Sequence, residues 1–231
     1  MYLEKQNDLA IVRDINPLYF RLYNFLPKGK TVIEETQDLN LRLGFNNVFF
    51  EYNRPSNHFT ITGRIVYRTK VIEPVPLEKE WAYTFFILNN GDMKIRKYNE
   101  IMPRRQPQIH LAIEAGPRLI VNEQVVDGLN STFRSSKLCM GWDKHQKAMV
   151  VATDQKISLQ EFAEQIKDLG FVFALNLDGG GSTSLYYSED NIKLKLIGKS
   201  SYGYDNIKYD QNEKFGRKVP YMIGIPKFID K

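Results

Sequence analysis

The stretch FVFALNLDGGGSTSLYY, residues 171–187, decides how the rest of the chain is read. Its first seven residues are almost wholly apolar, the pattern of a strand covered on both faces. It then breaks at Asp178 into three consecutive glycines, Gly179, Gly180 and Gly181, followed by Ser182 and Thr183. Glycine loses more backbone entropy on folding than any other residue, roughly 0.5–1 kcal/mol relative to alanine in regular structure, so three in a row need a reason. Two readings compete. One is a tight turn into the SLYY strand; the other is a nest of N–H groups that holds an anion, with Asp178 and Ser182 beside it. Other glycine-rich motifs fail on residue type. No lysine follows as a phosphate-binding P-loop requires, and Gly-Gly-Ser-Thr-Ser lacks the closing glycine of a hydrolase elbow.

Upstream, Ser158 with Glu161 three residues on reads as a capping box, and Leu159, Phe162, Ala163 and Ile166 recur at helical spacing until Gly170. A helix over 158–169 followed by the apolar strand makes a local strand–helix–strand passage, with Val172 and Ala174 expected against the helix. The strand's end is where ligands collect in such arrangements. Strand signals dominate elsewhere. GRIVYRTKVI (63–72), WAYTFFIL (81–88), MKIRKY (93–98), HLAIEAG (110–116), RLIV (118–121), QVV (124–126) and KAMVVAT (147–153) carry β-branched or apolar runs, with turn residues at Asn89–Asp92 and Asn122-Glu123. The expected fold class is α+β: a single domain with an extensive twisted mixed sheet and one principal helix (158–169) packed on it.

The whole chain has 231 residues, 42% of them apolar and 13% aromatic, enough for a buried core. No window approaches the ~18–20 apolar residues of a membrane-spanning helix. The first twenty residues carry Glu4, Lys5, Asp8, Arg13 and Asp14 where a secretory signal needs an apolar run, so a cytoplasmic location is the expectation. One cysteine, Cys139, and three scattered histidines exclude an internal disulfide and give no transition-metal ligand spacing. The net charge is +5, and residues 191–231 hold all of the excess, with nine Lys/Arg against four Asp/Glu. Such a patch steers a phosphorylated ligand as readily as a polynucleotide.

The sequence resembles the phosphodiester glycosidase family. Its most specific block, a helix, an apolar strand and N-L-D-G-G-G-S, is matched from Ser158 to Ser182 without a gap. Gly141-Trp142-Asp143 with KAMVVATD, Glu114-Ala115-Gly116-Pro117-Arg118-Leu119-Ile120-Val121, Phe45-Asn46-Asn47-Val48-Phe49-Phe50, and Val219-Pro220 with Ile223-Gly224-Ile225 are similar to further family blocks. The resemblance spans residues 40–226, with 1–39 as an N-terminal segment of the same domain. Asn47 and Val48 stand where the family has glycines. Lys137 stands where it has arginine, with Arg134 three residues earlier.

The resemblance implies a hydrolase that cuts between a sugar's anomeric carbon and phosphate in a glycosyl phosphodiester or nucleotide-linked sugar. Asp178 is the expected catalytic carboxylate, with Glu114 as its partner; their separation would decide retention or inversion. Phosphate is expected on the amides of Gly179, Gly180 and Gly181, on Ser182 and Thr183, and on cations among Arg118, Arg134 and Lys137. Asn46 is expected to hold sugar hydroxyls or a loop backbone, and Asn176 to fix the loop from beneath. No cofactor is required, although a divalent cation bound through Asp178 stays open. The expected partner is a small glycosyl phosphate or nucleotide rather than nucleic acid or membrane, and nothing in the pattern sets an oligomeric state. Two rival readings remain: a non-catalytic protein that sequesters a sugar phosphate or nucleotide, and a nucleic-acid module using Tyr202, Tyr204, Tyr209 and Tyr221 for stacking.

Overall fold

The apolar run before the glycines forms the strand Phe171–Asn176 inside a seven-stranded sheet. The computed structural model describes residues 1–53, 56, 58–73, 77, 79–97, 108–199 and 216–227. On one side the strand pairs with Ser135–Asp143, on the other with Arg118–Val121. Beyond Ser135–Asp143 the sheet continues through Ala148–Ile157, Leu9–Ile15 and Tyr2–Gln6, and Gln124–Val125 closes the opposite edge.

Because Ser135–Asp143 runs antiparallel to both Ala148–Ile157 and Phe171–Asn176, those two strands share a direction. The helix between them therefore crosses over one intervening strand, a split form of the expected strand–helix–strand passage. The mixed sheet is corrected: every strand pairing among the described residues is antiparallel. The physical reason is local. A short turn returns the chain from Asp143 to Ala148 beside its own strand, so the hairpin fills the position that a parallel neighbour would need.

Two helices occur among the described residues. Helix α1, Val32–Asp38, starts at Thr31, whose hydroxyl accepts from Glu34 N–H. Two turns make too short a pattern to stand out from its surroundings. Helix α2, Leu159–Lys167, has the expected capping box: Ser158 Oγ accepts from Glu161 N–H at 3.1 Å, and Glu161 Oε2 accepts from Ser158 N–H at 2.8 Å. Phe162, Ala163 and Ile166 are fully buried, and Leu159 is partly buried against the same cluster. Ala174 faces this helix as expected, but Val172 does not. A register shift opposite Trp142 and Asp143 puts Phe171 in its place and turns Val172 to the other face.

That other face belongs to the main core, which joins all three large sheets. Leu138, Met140, Trp142 and Leu175 from the first meet Phe85, Leu111 and Ile113 from a second and Leu43, Phe45 and Ile223 from a third. The second sheet has the order Met93–Lys97, Tyr83–Leu88, Ile109–Ala115, Ile65–Tyr67, Lys70–Glu73. Its last two strands split the run read as one strand at 63–72, because Arg68 and Thr69 both take the left-handed conformation and form a hairpin turn. The third sheet orders Ile192–Ile197, Ser184–Glu189, Leu41–Asn46, Tyr221–Pro226 and Arg21–Asn24. Tyr221 is buried in the core and so offers no stacking surface, while Tyr202, Tyr204 and Tyr209 lie outside the described residues. Among the described residues no helix is long and apolar enough to cross a membrane.

Gly141 lies where the central strands press closest: a Cβ there would sit 1.9 Å from Phe173 O and 2.9 Å from Ala174 Cα. Both obstacles are backbone in the middle of a sheet and cannot swing aside. Gly141→Ala is therefore expected to cost about 1–3 kcal/mol or more, read as a lower midpoint in urea denaturation.

Candidate active site

The chain leaves the seven-stranded sheet at Leu177, whose N–H donates to Leu138 O at 2.9 Å, and enters the third sheet at Ser184. Between them Gly180–Ser182 makes one 3-10 turn, closed by Ser182 N–H to Gly179 O at 3.2 Å and Thr183 N–H to Gly180 O at 3.1 Å. Gly180 has a φ of +60°, which glycine adopts without strain, and a Cβ on Gly179 would lie 2.9 Å from Ser136 O. The turn reading thus accounts for two of the three glycines. It leaves the anion reading intact, since the N–H groups of Gly180 and Gly181 open the turn with no acceptor among the described residues.

Asn46 holds this loop to the third sheet. Its Nδ2 donates to Asp178 O at 2.8 Å and its Oδ1 accepts from Ser184 N–H at 2.8 Å, with the side chain fully buried. Of its two expected roles, binding loop backbone is the one the geometry gives. The adjacent Asn47 supplies the carbonyl that accepts Asp178 N–H at 3.3 Å.

Asp178, half-buried, lines a cleft of about 330 Å³. Burial pushes its carboxyl up to about 7, against the opposing pull of the Ser182 hydroxyl, the Arg217 guanidinium and the Gly179 N–H. Lys137 reaches the same cleft from strand Ser135–Asp143. It is buried, its Nζ donates to Ser135 O at 2.8 Å and Ser135 Oγ at 2.7 Å, and burial lowers its ammonium to about 8. Glu161 opposes that fall and Arg134 adds to it. Asn176, the three glycines and Ser182 also line the cleft, and Phe49, Phe50 and Phe133 supply its apolar side.

A larger cleft of about 560 Å³ adjoins it and shares Phe49, Leu159 and Asn176 with it. Arg118, Trp81, Tyr83 and Asp127 line this second space. Asn176 fixes the boundary by donating from Nδ2 to Gly116 O at 3.0 Å.

Three expected residues fall elsewhere. Glu114 is completely buried away from both clefts, where Oε2 accepts from Arg64 N–H at 2.8 Å and Leu77 N–H at 2.7 Å. It ties two chain segments together and has no route to a sugar. Arg134 is exposed and bound to Glu161 at 2.7 Å and to Lys156 O at 3.1 Å, at the start of α2 rather than in the cleft. Thr183 is buried beyond the turn and does not line the cleft. Arg217, which the sequence did not single out, lines the Asp178 cleft. Its guanidinium lies 5.5 Å over the Phe50 ring and donates to Ser182 Oγ at 3.4 Å. The available signal was its position two residues before Val219-Pro220, just ahead of the block matched to the family. Among the described residues no group of three or more His, Cys, Asp or Glu is placed to hold a metal ion.

The clamp yields a direct test. Asn46→Asp keeps the acceptor for Ser184 N–H but replaces the donor to Asp178 O with a buried carboxylate oxygen. It is expected to lower stability by about 1–3 kcal/mol or more, seen as a lower melting temperature, whereas Arg134→Ala on the exposed helix start is expected to cost about 1 kcal/mol or less.

The fold has solved counterparts. It aligns with the catalytic domain of zebrafish N-acetylglucosamine-1-phosphodiester alpha-N-acetylglucosaminidase auto-inhibited by its pro-peptide, with a TM-score of 0.67 at 15% identity over 98% of this chain and 82% of that one. It also aligns with a hypothetical protein from Synechocystis, TM-score 0.59 at 16% identity, over 97% of this chain and 61% of the other. This chain thus spans less than two thirds of the Synechocystis protein. No curated protein matches it by sequence. Residues 40–226, which contain the glycine loop, Asn46, Lys137 and Arg217, match the phosphodiester glycosidase family, and the chain belongs to it.

Proposed function

We propose that the protein hydrolyses a glycosyl phosphodiester at the bond between the anomeric carbon and phosphate oxygen. One observation carries this reading: Asp178 is the single carboxylate among the described residues lining its cleft, and Lys137 and Arg217 line the same space. The two cations and the turn's N–H groups suit a phosphate, and Asp178 suits the reacting carbon. Phosphate monoesters leave readily because their second pKa is near ~6, so the leaving oxygen needs charge neutralisation more than a proton. Asp178 takes a proton from water as the water oxygen bonds to the anomeric carbon. The bond to the phosphate oxygen breaks with its electron pair on that oxygen, beside Lys137 and Arg217. One base with a pKa near neutrality serves this reaction well. The leaving group is then a sugar phosphate or a nucleotide, and the zebrafish relative's name makes an N-acetylglucosaminyl phosphodiester the first compound to try.

Asp178→Asn is expected to keep the fold and ligand binding while turnover falls about 10²-fold or more, followed by phosphorus NMR of the products. Near-normal turnover in this variant would remove Asp178 from the chemistry. A wild-type protein that binds the diester and returns it intact would be a sequestering protein instead.

The pH profile follows from the two shifts. Activity needs Asp178 ionised, so it should rise as pH passes about 7, and it needs Lys137 charged, so it should fall as pH passes about 8. Lys137→Arg, which stays protonated throughout, is expected to abolish the alkaline fall. The same carboxyl affects folding. Its pKa is raised in the folded state, so stability is lost as pH climbs from the unfolded value near ~3.9 through about 7, and Asp178→Asn should flatten melting temperature over that window.

A further inference from the structure

The larger cleft holds a cation that the chemistry at Asp178 leaves unused. Arg118 sits opposite Leu175 in the sheet and turns its guanidinium onto Tyr83, 4.2 Å from the ring centroid. Its Nε is buried with no hydrogen-bond partner, and no ion pair links it to a carboxylate among the described residues. Asp127 lines the same cleft without pairing to it. A buried donor without an acceptor is costly, so the arrangement is one that an incoming acceptor would complete.

The surroundings limit what that acceptor belongs to. Phe49 and Trp81 meet edge to face at 5.6 Å, and Trp81 remains 39% exposed. Asn176 spends its Nδ2 on Gly116 O, and its Oδ1 is buried with no partner. Aromatic walls with an amide oxygen and a carboxylate suit a hydroxylated ring: the apolar face packs on the aromatics while hydroxyls donate to Asn176 and Asp127. The planar guanidinium suits a carboxylate or a phosphate, since either accepts two parallel N–H bonds.

The geometry points to a second oxyanion subsite: the larger cleft takes a sugar ring that bears a negative charge of its own, and Arg118 selects for it. This rests on the glycosyl phosphodiester reading and adds the class of sugar. Discrimination of about tenfold or more is the scale of a hydrogen bond to a charged group.

The test uses three matched substrates: glucose 1-(methyl phosphate), the same compound with a 6-carboxylate, and the same compound with a 6-phosphate. One anionic ring should exceed the neutral one in kcat/KM by about tenfold or more, and which one does so separates a sugar acid from a sugar phosphate. Arg118→Gln should bring the ratio close to one. Arg118→Lys keeps the charge without the fork and should reduce the ratio several-fold, which serves equally if the glutamine variant does not fold. Equal rates for all three compounds, or a ratio unchanged in both variants, would overturn the subsite. Calorimetric binding of glucose, glucuronate and glucose 6-phosphate separates the two readings. An anion preference that depends on Arg118, in a protein without turnover, keeps the subsite and ends the hydrolase reading. Turnover of the neutral diester without any anion preference does the reverse.

Discussion

The two hydrogen bonds of Asn46 hold the site together. One side chain accepts from Ser184 N–H at the start of a strand in one sheet and donates to Asp178 O at the end of a strand in another. The glycine loop crosses between those sheets, and without a fixed tie at both ends its six residues would have many conformations. Burial makes the tie strong in the relevant sense, because each partner would otherwise be a polar group without water. The orientation of Asp178, the opening of the turn and the position of Ser182 all follow from that clamp.

The electrostatics then follow from where the loop is held. Desolvation is the largest cause of both shifts, the rise of the half-buried Asp178 carboxyl to about 7 and the fall of the buried Lys137 ammonium to about 8. A poorly solvated ammonium gains from an incoming ion of opposite sign, and under the proposed function a phosphate would supply one for Lys137 and, beside it, Arg217. Asp178 retains the Ser182 hydroxyl and Gly179 N–H, so it is not left to the apolar surroundings alone.

Local signals were legible where the chemistry is local. The capping box at Ser158, the hairpin around Asn89–Asp92 and the strand Arg118–Val121 needed only neighbouring residues to specify them. Asp178 and Lys137 stood out because a glycine run and a family block flank them. Glu114 misled because an acid in a matched block reads the same whether it faces a ligand or the backbone of a distant segment; only the fold brings Arg64 and Leu77 to it. Arg134 and Arg217 differ in the same way. Both are arginines near matched blocks, and the partner that assigns each a role, Glu161 for one and Ser182 for the other, lies 27 or 35 positions away. The antiparallel sheet was hidden for a related reason, since strand direction depends on which hairpin inserts between two strands and not on either strand's composition.

The central strand of the third sheet, Leu41–Asn46, has a consequence for how the protein is made. Its two neighbours are Ser184–Glu189 and Tyr221–Pro226, both far along the chain. While a ribosome is still extending the polypeptide, this early segment has neither edge satisfied, and Asn46 has no Asp178 to grip. Long-range pairing of this sort closes late and slowly. The cleft, which draws on Phe49 and on Arg217 far along the chain, cannot form on a nascent chain until Arg217 has emerged.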